Sequence, residues 1–390
     1  MTISKIREGL KSLPSVILIF LIPLSGIIPI RGEQVWFPQY LAFLFLLGLF
    51  AVFKIWGFNK YLALFSLTAV LSAVFITRFE PRAVMCMIGL FGGIFLAKII
   101  SGFNEKTKVW LLNSLIVYTV LHSLYLVVQF FNKDPFFKSI YAGRINEMVG
   151  LCGSPDIAGT VFSILFIVLL AKMPYLCILP LIGVIASKSS FSYTATIMGS
   201  LFYLYFTNKR LFKYGLVVIL TGSVLFFLKI DKLQKADFIT RGSVYASSLI
   251  SVVKGQLIIE QSEPMMIVTK PYLGFGLGNF LRLFPYTPGY GKFNYTNEKF
   301  THAHNDLIEM TFELGILGLI TFLIFLGNLI YRIVKSDKTK ELYLYLACLI
   351  AYFINAQGHF VSQVAITASL MILFYGLLEG ELRGSTANSS

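Results

Sequence analysis

Charge is scarce in this chain of 390 residues: Asp, Glu, Lys and Arg together make up 13% of it, where a soluble domain carries roughly 25%. With 56% hydrophobic residues, that shortage excludes an ordinary water-soluble enzyme. Cysteine is scarce too, at four residues. Cys86, Cys177 and Cys348 fall inside apolar runs and Cys152 stands apart, so neither a disulfide framework nor a zinc-binding spacing is present. No period of 20–50 residues repeats, which excludes a solenoid, and no linker divides the chain. One membrane domain over residues 1–390 is expected, not several soluble ones.

What the chain has instead is long hydrophobic runs. Bounded by charges or turn residues, they give twelve candidate spans: 13–30, 37–56, 60–78, 82–100, 109–131, 155–171, 174–187, 191–207, 211–230, 307–333, 341–357 and 361–378. A helix needs about 20 apolar residues to cross a bilayer, so the fold class is an all-α polytopic membrane protein of about 12 transmembrane helices. The seventh run is short, and reads as re-entrant or broken. The first follows Lys5, Arg7 and Lys11 as a signal peptide would. It lacks a small-residue cleavage site and more spans follow, so it reads as a retained helix.

The formal charge of +14 raises the question of nucleic acid, and its distribution answers it. With the N-terminus inside, the inner loops and the two termini hold about 17 basic residues, including Lys108, Lys172, Lys209 and Lys338. The short outer loops hold about seven: Arg31, Arg78, Arg82, Lys133, Lys138, Arg144 and Lys188. Short loops obey the positive-inside rule, so much of the charge is a topology signal and no nucleic-acid partner is expected.

One outer loop breaks the pattern. Residues 231–305 connect two spans over about 75 residues, against the usual 2–8 between bundled helices. Counting Lys229, it holds about nine cations, Arg241, Lys254 and Lys270 among them, with two histidines and many aromatics. Residues 243–262 are expected to be helical and partly amphipathic, along the membrane surface; the glycine- and proline-rich stretch 271–300 should be irregular.

Where this loop ends, the run Thr301-His302-Ala303-His304-Asn305-Asp306-Leu307-Ile308-Glu309 enters an apolar helix. Asp306 reads as a helix cap, with Glu309 completing an acidic capping box. That leaves His304 unexplained. Just before a helix start, the positive end of the dipole disfavours imidazolium and keeps the ring neutral; a neutral imidazole can accept a proton from a hydroxyl. His302 and His304 also have the spacing of a metal pair, but no third ligand is apparent, and His302 reads as a surface or hydrogen-bonding residue. The spaced glycines of Gly274-Phe275-Gly276-Leu277-Gly278 lack the strand–turn–helix setting of a nucleotide site; a close-packed turn is the better reading. Lys188, Arg241, Lys254 and Arg144 each suit a solvated face or a lipid headgroup, and together would suit a diphosphate. Tyr272, Tyr286, Tyr290, Phe293 and Tyr295 fit an interfacial aromatic belt or sugar stacking. His122, inside the fifth span, reads as a hydrogen-bonded bundle residue or a functional one.

From Gly255 to Gly318 the sequence resembles the signature region of the bacterial O-antigen ligase and O-antigen polymerase superfamily. The match lies in KPYLGFGLGNF and HAHNDLIEMTFELGILGL. GLCGSPDIAGTVFS at 150–163 resembles the family's entry to a middle helix. Together these cover about a quarter of the chain. The resemblance implies a metal-independent, inverting membrane glycosyltransferase in the bacterial inner membrane, its large loop 231–305 and active site facing the periplasm, with no cofactor. Its implied partners are an undecaprenyl-diphosphate-linked oligosaccharide, a glycan or lipid A-core acceptor, and membrane lipids. By position His304 matches the family's essential histidine, acting as base toward the acceptor hydroxyl or orienting it, and Asn305 follows it in the motif. Gln256 stands where the family usually has an arginine, and Lys188 is the nearest equivalent of a second. Lysine keeps the charge but loses bidentate geometry, and glutamine keeps no charge, which leaves Arg241 or Lys254 to supply the missing cation. Two rivals remain at this level: a carrier or flippase for polysaccharide intermediates, and an inactive scaffold of a glycan-assembly complex.

Overall fold

A computed structural model describes residues 58–77, 81–131, 150–217, 256–259, 266–269, 272–283, 305–359 and 361–388. The runs expected at 13–30 and 37–56 lie outside these residues. Ten helices are labelled here: α1 Lys60–Phe75, α2 Pro81–Ser101, α3 Glu105–Phe130, α4 Pro155–Lys172, α5 Ile178–Ser187, α6 Ser190–Thr207, α7 Phe280–Leu283, α8 Asp306–Lys335, α9 Lys340–Asn355 and α10 Ala365–Asn388. Residues 209–217 are helical as well. Five helices among the described residues are long and apolar enough to cross a membrane: α2, α3, α4, α8 and the stretch Ala365–Gly384 of α10.

Helix starts follow local chemistry. Asn59 Oδ1 accepts from the N–H groups of Tyr61 and Leu62 at 3.0 and 3.2 Å, Asn104 caps α3 and Thr339 caps α9. Proline opens α2 and α4, where its missing N–H leaves no intrahelical bond unmade.

The chain divides into two compact units, interleaved in sequence: one comprises 1–33, 96–216 and 336–390, the other 34–95 and 217–335. In the first, α4 is the central helix. Val161, Phe162, Ile164, Leu165, Ile167 and Leu169 are fully buried, so it is apolar all round, as a core helix must be. α5, α6, α9 and α10 pack around it. On α3, Val117, Leu121 and Leu124 form an exposed apolar stripe, as lipid contact requires. α5 has only 10 residues, a rise of about 15 Å; with the preceding 3₁₀ turn Pro174–Leu176 it makes the short, interrupted span that its sequence suggested.

The two ends of this unit differ. At one, Lys108 Nζ lies 2.7 Å from Glu105 and 2.8 Å from Glu381, and Lys172 lies 3.6 Å from Glu341. Phe206, near the end of α6, stacks on Tyr343 at 4.4 Å. The segments read as inner loops, around 105–108, 172, 207–210 and 338–341, are thus gathered at one end. The other end carries Asp156, Ser189, Asn355 and His359.

In the second unit α1 packs along α8, with the Thr68 and Thr321 hydroxyls 3.0 Å apart. Two strands depart from the all-helical expectation. β1 Gln256–Ile259 pairs antiparallel with β2 Met266–Thr269 in the register Gln256↔Thr269, Leu257↔Val268, Ile258↔Ile267 and Ile259↔Met266. The helix expected over 243–262 is therefore a strand wherever that stretch is described. Leu257 opposite Val268 and Ile258 opposite Ile267 favour the pleated pairing over a helix.

Candidate active site

Helix α8 is broken at Gly315, whose φ of 65° and ψ of −165° lie in a region essentially confined to glycine. The break frees backbone groups that an apolar setting cannot leave unpaired. The glycine-rich turn 272–279 supplies their partners. Phe275 N–H donates to the Phe312 carbonyl and Gly276 N–H to the Glu313 carbonyl, both at 3.0 Å, while Leu317 N–H donates to the Tyr272 carbonyl at 3.2 Å. Ser72 of α1 joins the two: its hydroxyl faces the Leu273 and Glu313 carbonyls at 3.3 and 3.2 Å and accepts the Leu277 N–H at 3.2 Å. The buried Glu313 carboxylate accepts from Phe280 N–H at 3.1 Å, holding the one-turn α7 in place. The glycines of KPYLGFGLGNF thus form a close-packed turn laced into a broken helix.

The start of α8 corrects one expectation. Asn305, not Asp306, is the cap: its Oδ1 accepts from Leu307 N–H and Ile308 N–H, both at 3.0 Å. Asp306 is the first helical residue, so Glu309 falls one place too late for a capping box. His304 immediately precedes this cap in sequence; His302 and His304 themselves lie outside the described residues, as do Arg144, Arg241 and Lys254. Gln256 opens strand β1 opposite Thr269.

The first unit holds a second polar assembly, around Lys188. Lys188 caps the end of α5 with φ 53° and ψ 16°, the single non-glycine residue with positive φ among those described. On either side, Ser187 Oγ donates to the Val184 carbonyl at 2.7 Å, and Ser189 Oγ accepts from Ser192 N–H at 3.3 Å. Ser189 Oγ also lies 2.8 Å from His359 Nε2, and His359 Nδ1 lies 3.7 Å from Asp156 Oδ2. Beneath them, Ser192 Oγ donates to Asn355 Oδ1 at 2.9 Å and Asn355 Nδ2 donates to Ser163 Oγ at 3.1 Å. Lys188 is exposed, whereas Ser189 and His359 are buried. The sequence reading missed His359, Asp156 and Ser189; the available signal was a histidine at a span end, in a chain with four.

His122 is a buried bundle residue, its Nε2 accepting Leu151 N–H at 2.9 Å beside the Phe162 ring, at 4.3 Å between centroids. Burial pushes the nearby Cys152 thiol above its ordinary range. Among the described residues no group of three or more His, Cys, Asp or Glu stands where it could hold a metal ion.

Residues 175–323 match the O-antigen ligase family. The matched segment contains Lys188, the 231–305 loop, the histidine motif and Gly315. The chain is also 29% identical over 188 residues to a protein of Rickettsia conorii that carries a provisional polysaccharide ligase name. A Rickettsia felis protein with the same kind of name is 29% identical over 192 residues. In both cases the match covers 47% of this chain and 44% of the relative, so the chain spans less than half the length of the relatives it matches.

Proposed function

We propose that this protein is a membrane glycosyltransferase that moves a glycan from an undecaprenyl-diphosphate carrier to a sugar hydroxyl. The observation that carries the reading is the His302-x-His304-Asn305 run meeting the capped N-terminus of a broken apolar helix, inside the segment matched to the O-antigen ligase family. A helix N-terminus keeps the His304 imidazole neutral, ready to take the proton of the acceptor hydroxyl. The freed hydroxyl oxygen attacks the anomeric carbon from the side opposite the diphosphate. The carbon–oxygen bond to the diphosphate then breaks, inverting that carbon, and undecaprenyl diphosphate leaves with the bonding pair. Cations must hold that charge as it develops; Lys188, Arg241, Lys254 and Arg144 are those the sequence offers, with Gln256, His302 and Asn305 as polar contacts to donor or acceptor. No metal is needed for this sequence of steps. The ligase form, with a lipid A-core acceptor, is favoured over the polymerase by the ligase names of the two relatives.

The test is transfer in vitro by the purified full-length protein from a lipid-diphosphate oligosaccharide. His304→Ala is expected to lower the rate at least about 100-fold, the lower range for a general base, with folding intact. Full activity in that variant removes the proposed base, and a requirement for added metal contradicts the mechanism. In a deletion strain, long unligated chains mark a missing ligase and single repeat units on lipid A-core a missing polymerase.

A further inference from the structure

We propose that Asp156, His359 and Ser189 form a positioning chain that holds the strained Lys188 turn so that its ammonium group meets the diphosphate of the lipid-linked donor. This inference rests on the glycosyltransferase reading above and adds three residues to it.

Lysine is an unexpected occupant of its position. A helix that ends on a left-handed residue normally ends on glycine, because a Cβ there crowds the backbone. Such strain persists only where the surroundings impose it, and it gathers at ligand sites. The surroundings here are explicit. Lys188 N–H is tied to the Ile185 carbonyl at 3.2 Å, the Tyr193 hydroxyl donates to the same carbonyl at 2.9 Å, and the flanking serines are both buried and hydrogen-bonded.

The hydrogens of Ser189 and His359 form a directed chain. Ser189 Oγ accepts from Ser192 N–H, which leaves its own hydrogen for His359 Nε2. In the tautomer with the ring proton on Nδ1, Nε2 accepts that hydrogen, and Nδ1 faces Asp156 Oδ2 at 3.7 Å. The carboxylate faces the ring at charge-pairing distance and the ring is hydrogen-bonded to the serine, an order of contacts like that of a carboxylate behind a functional histidine. Gly358 presses this turn against the Phe191 ring, where a Cβ would stand 2.0 Å from it. Four segments, at 156, 187–192, 355 and 358–359, are thus locked together around one exposed residue. That residue is a cation with no carboxylate paired to it among the described residues. A purely structural turn would carry glycine. The ammonium group is what the position retains.

Full-length protein in phosphatidylcholine nanodiscs provides the test, read as undecaprenyl diphosphate binding and as steady-state transfer. Lys188→Gly relieves the strain and is expected to raise the midpoint of thermal unfolding while raising KM for the donor about tenfold, the effect of one lost charge-assisted contact. kcat changes less. His359→Ala is expected to raise KM similarly, His359→Gln to restore most of it, and the Lys188→Gly, His359→Ala pair to be no worse than either alone. An unchanged KM in Lys188→Gly overturns the proposal. So does additivity in the pair, or His359→Gln as defective as His359→Ala. With phosphatidylglycerol added, a Lys188→Gly defect confined to retention of that lipid also overturns it, since the ammonium would then serve a headgroup. Unmodified protein that binds the donor but transfers nothing removes the glycosyltransferase reading and leaves the chain of residues standing; normal transfer with every variant at the parent KM does the reverse.

Discussion

Asn305 does two jobs that can be separated. As the cap of α8 it satisfies two backbone donors, and in the motif it follows the proposed base. Asn305→Ala removes the cap and should cost about 1 kcal/mol of stability. Asn305→Asp caps equally well but places a negative charge beside the proposed base His304 and the proposed diphosphate. We expect Asn305→Asp to keep the thermal midpoint and lose most of the transfer rate, measured side by side on the same preparation. Equal activity in the two proteins would confine Asn305 to capping. Lys188 shows a related separation, between a strained backbone and a useful charge. Both cases were half visible beforehand: residue type and motif position named Asn305 and Lys188, but which residue caps a helix and which backbone is left-handed depend on how the chain turns there.

At the scale of elements, the broken α8 and the turn 272–279 stand or fall together. The break at Gly315 is tolerable because the turn pairs its loose backbone groups, and the turn is ordered because the break receives it. Gly274 lies at the join, with φ 67° and a Cβ position 2.6 Å from the Phe312 and Glu313 carbonyls. Gly274→Ala should therefore destabilise by more than the about 1–2 kcal/mol of a left-handed alanine, as read by unfolding in mild detergent. Ser72→Ala strips the buried Leu277 N–H of its acceptor and should cost about 1–3 kcal/mol. A neutral result in both would mean that the turn does not hold the break. The glycine spacing was legible as a turn but its partner was not, because the contact joins residues about 40 positions apart along the chain. The strand pairing at 256–269 was missed for a different reason: short apolar runs are ambiguous between strand and helix until the partner strand is known.

For the whole molecule, the testable feature is sidedness. The first unit places the basic inner segments at one end and the Asp156–Ser189–His359 assembly at the other. With the four native cysteines replaced by alanine, Ser190→Cys should react with a membrane-impermeant maleimide applied from the periplasmic side, and Lys338→Cys only after the membrane is opened. The reverse pattern would invert the orientation and place the Lys188 assembly in the cytoplasm. Hydropathy and charge by themselves determined that this is a many-helix membrane protein, where most of the described helices lie and which helix ends of the first unit belong together, because a bilayer filters residues by polarity and needs no knowledge of neighbours. The motif from Lys270 to Gly318 likewise pointed to the O-antigen ligase family before any contact was known. Tertiary structure alone decided that α8 is broken and laced to a distant turn, that Asn305 is the cap, and that His359, Ser189 and Asp156 gather around a strained lysine. The broken helix and the lysine assembly depend on hydrogen bonds between residues far apart in sequence, which leave no periodic trace in the chain, and the cap depends on where the local backbone enters the helix.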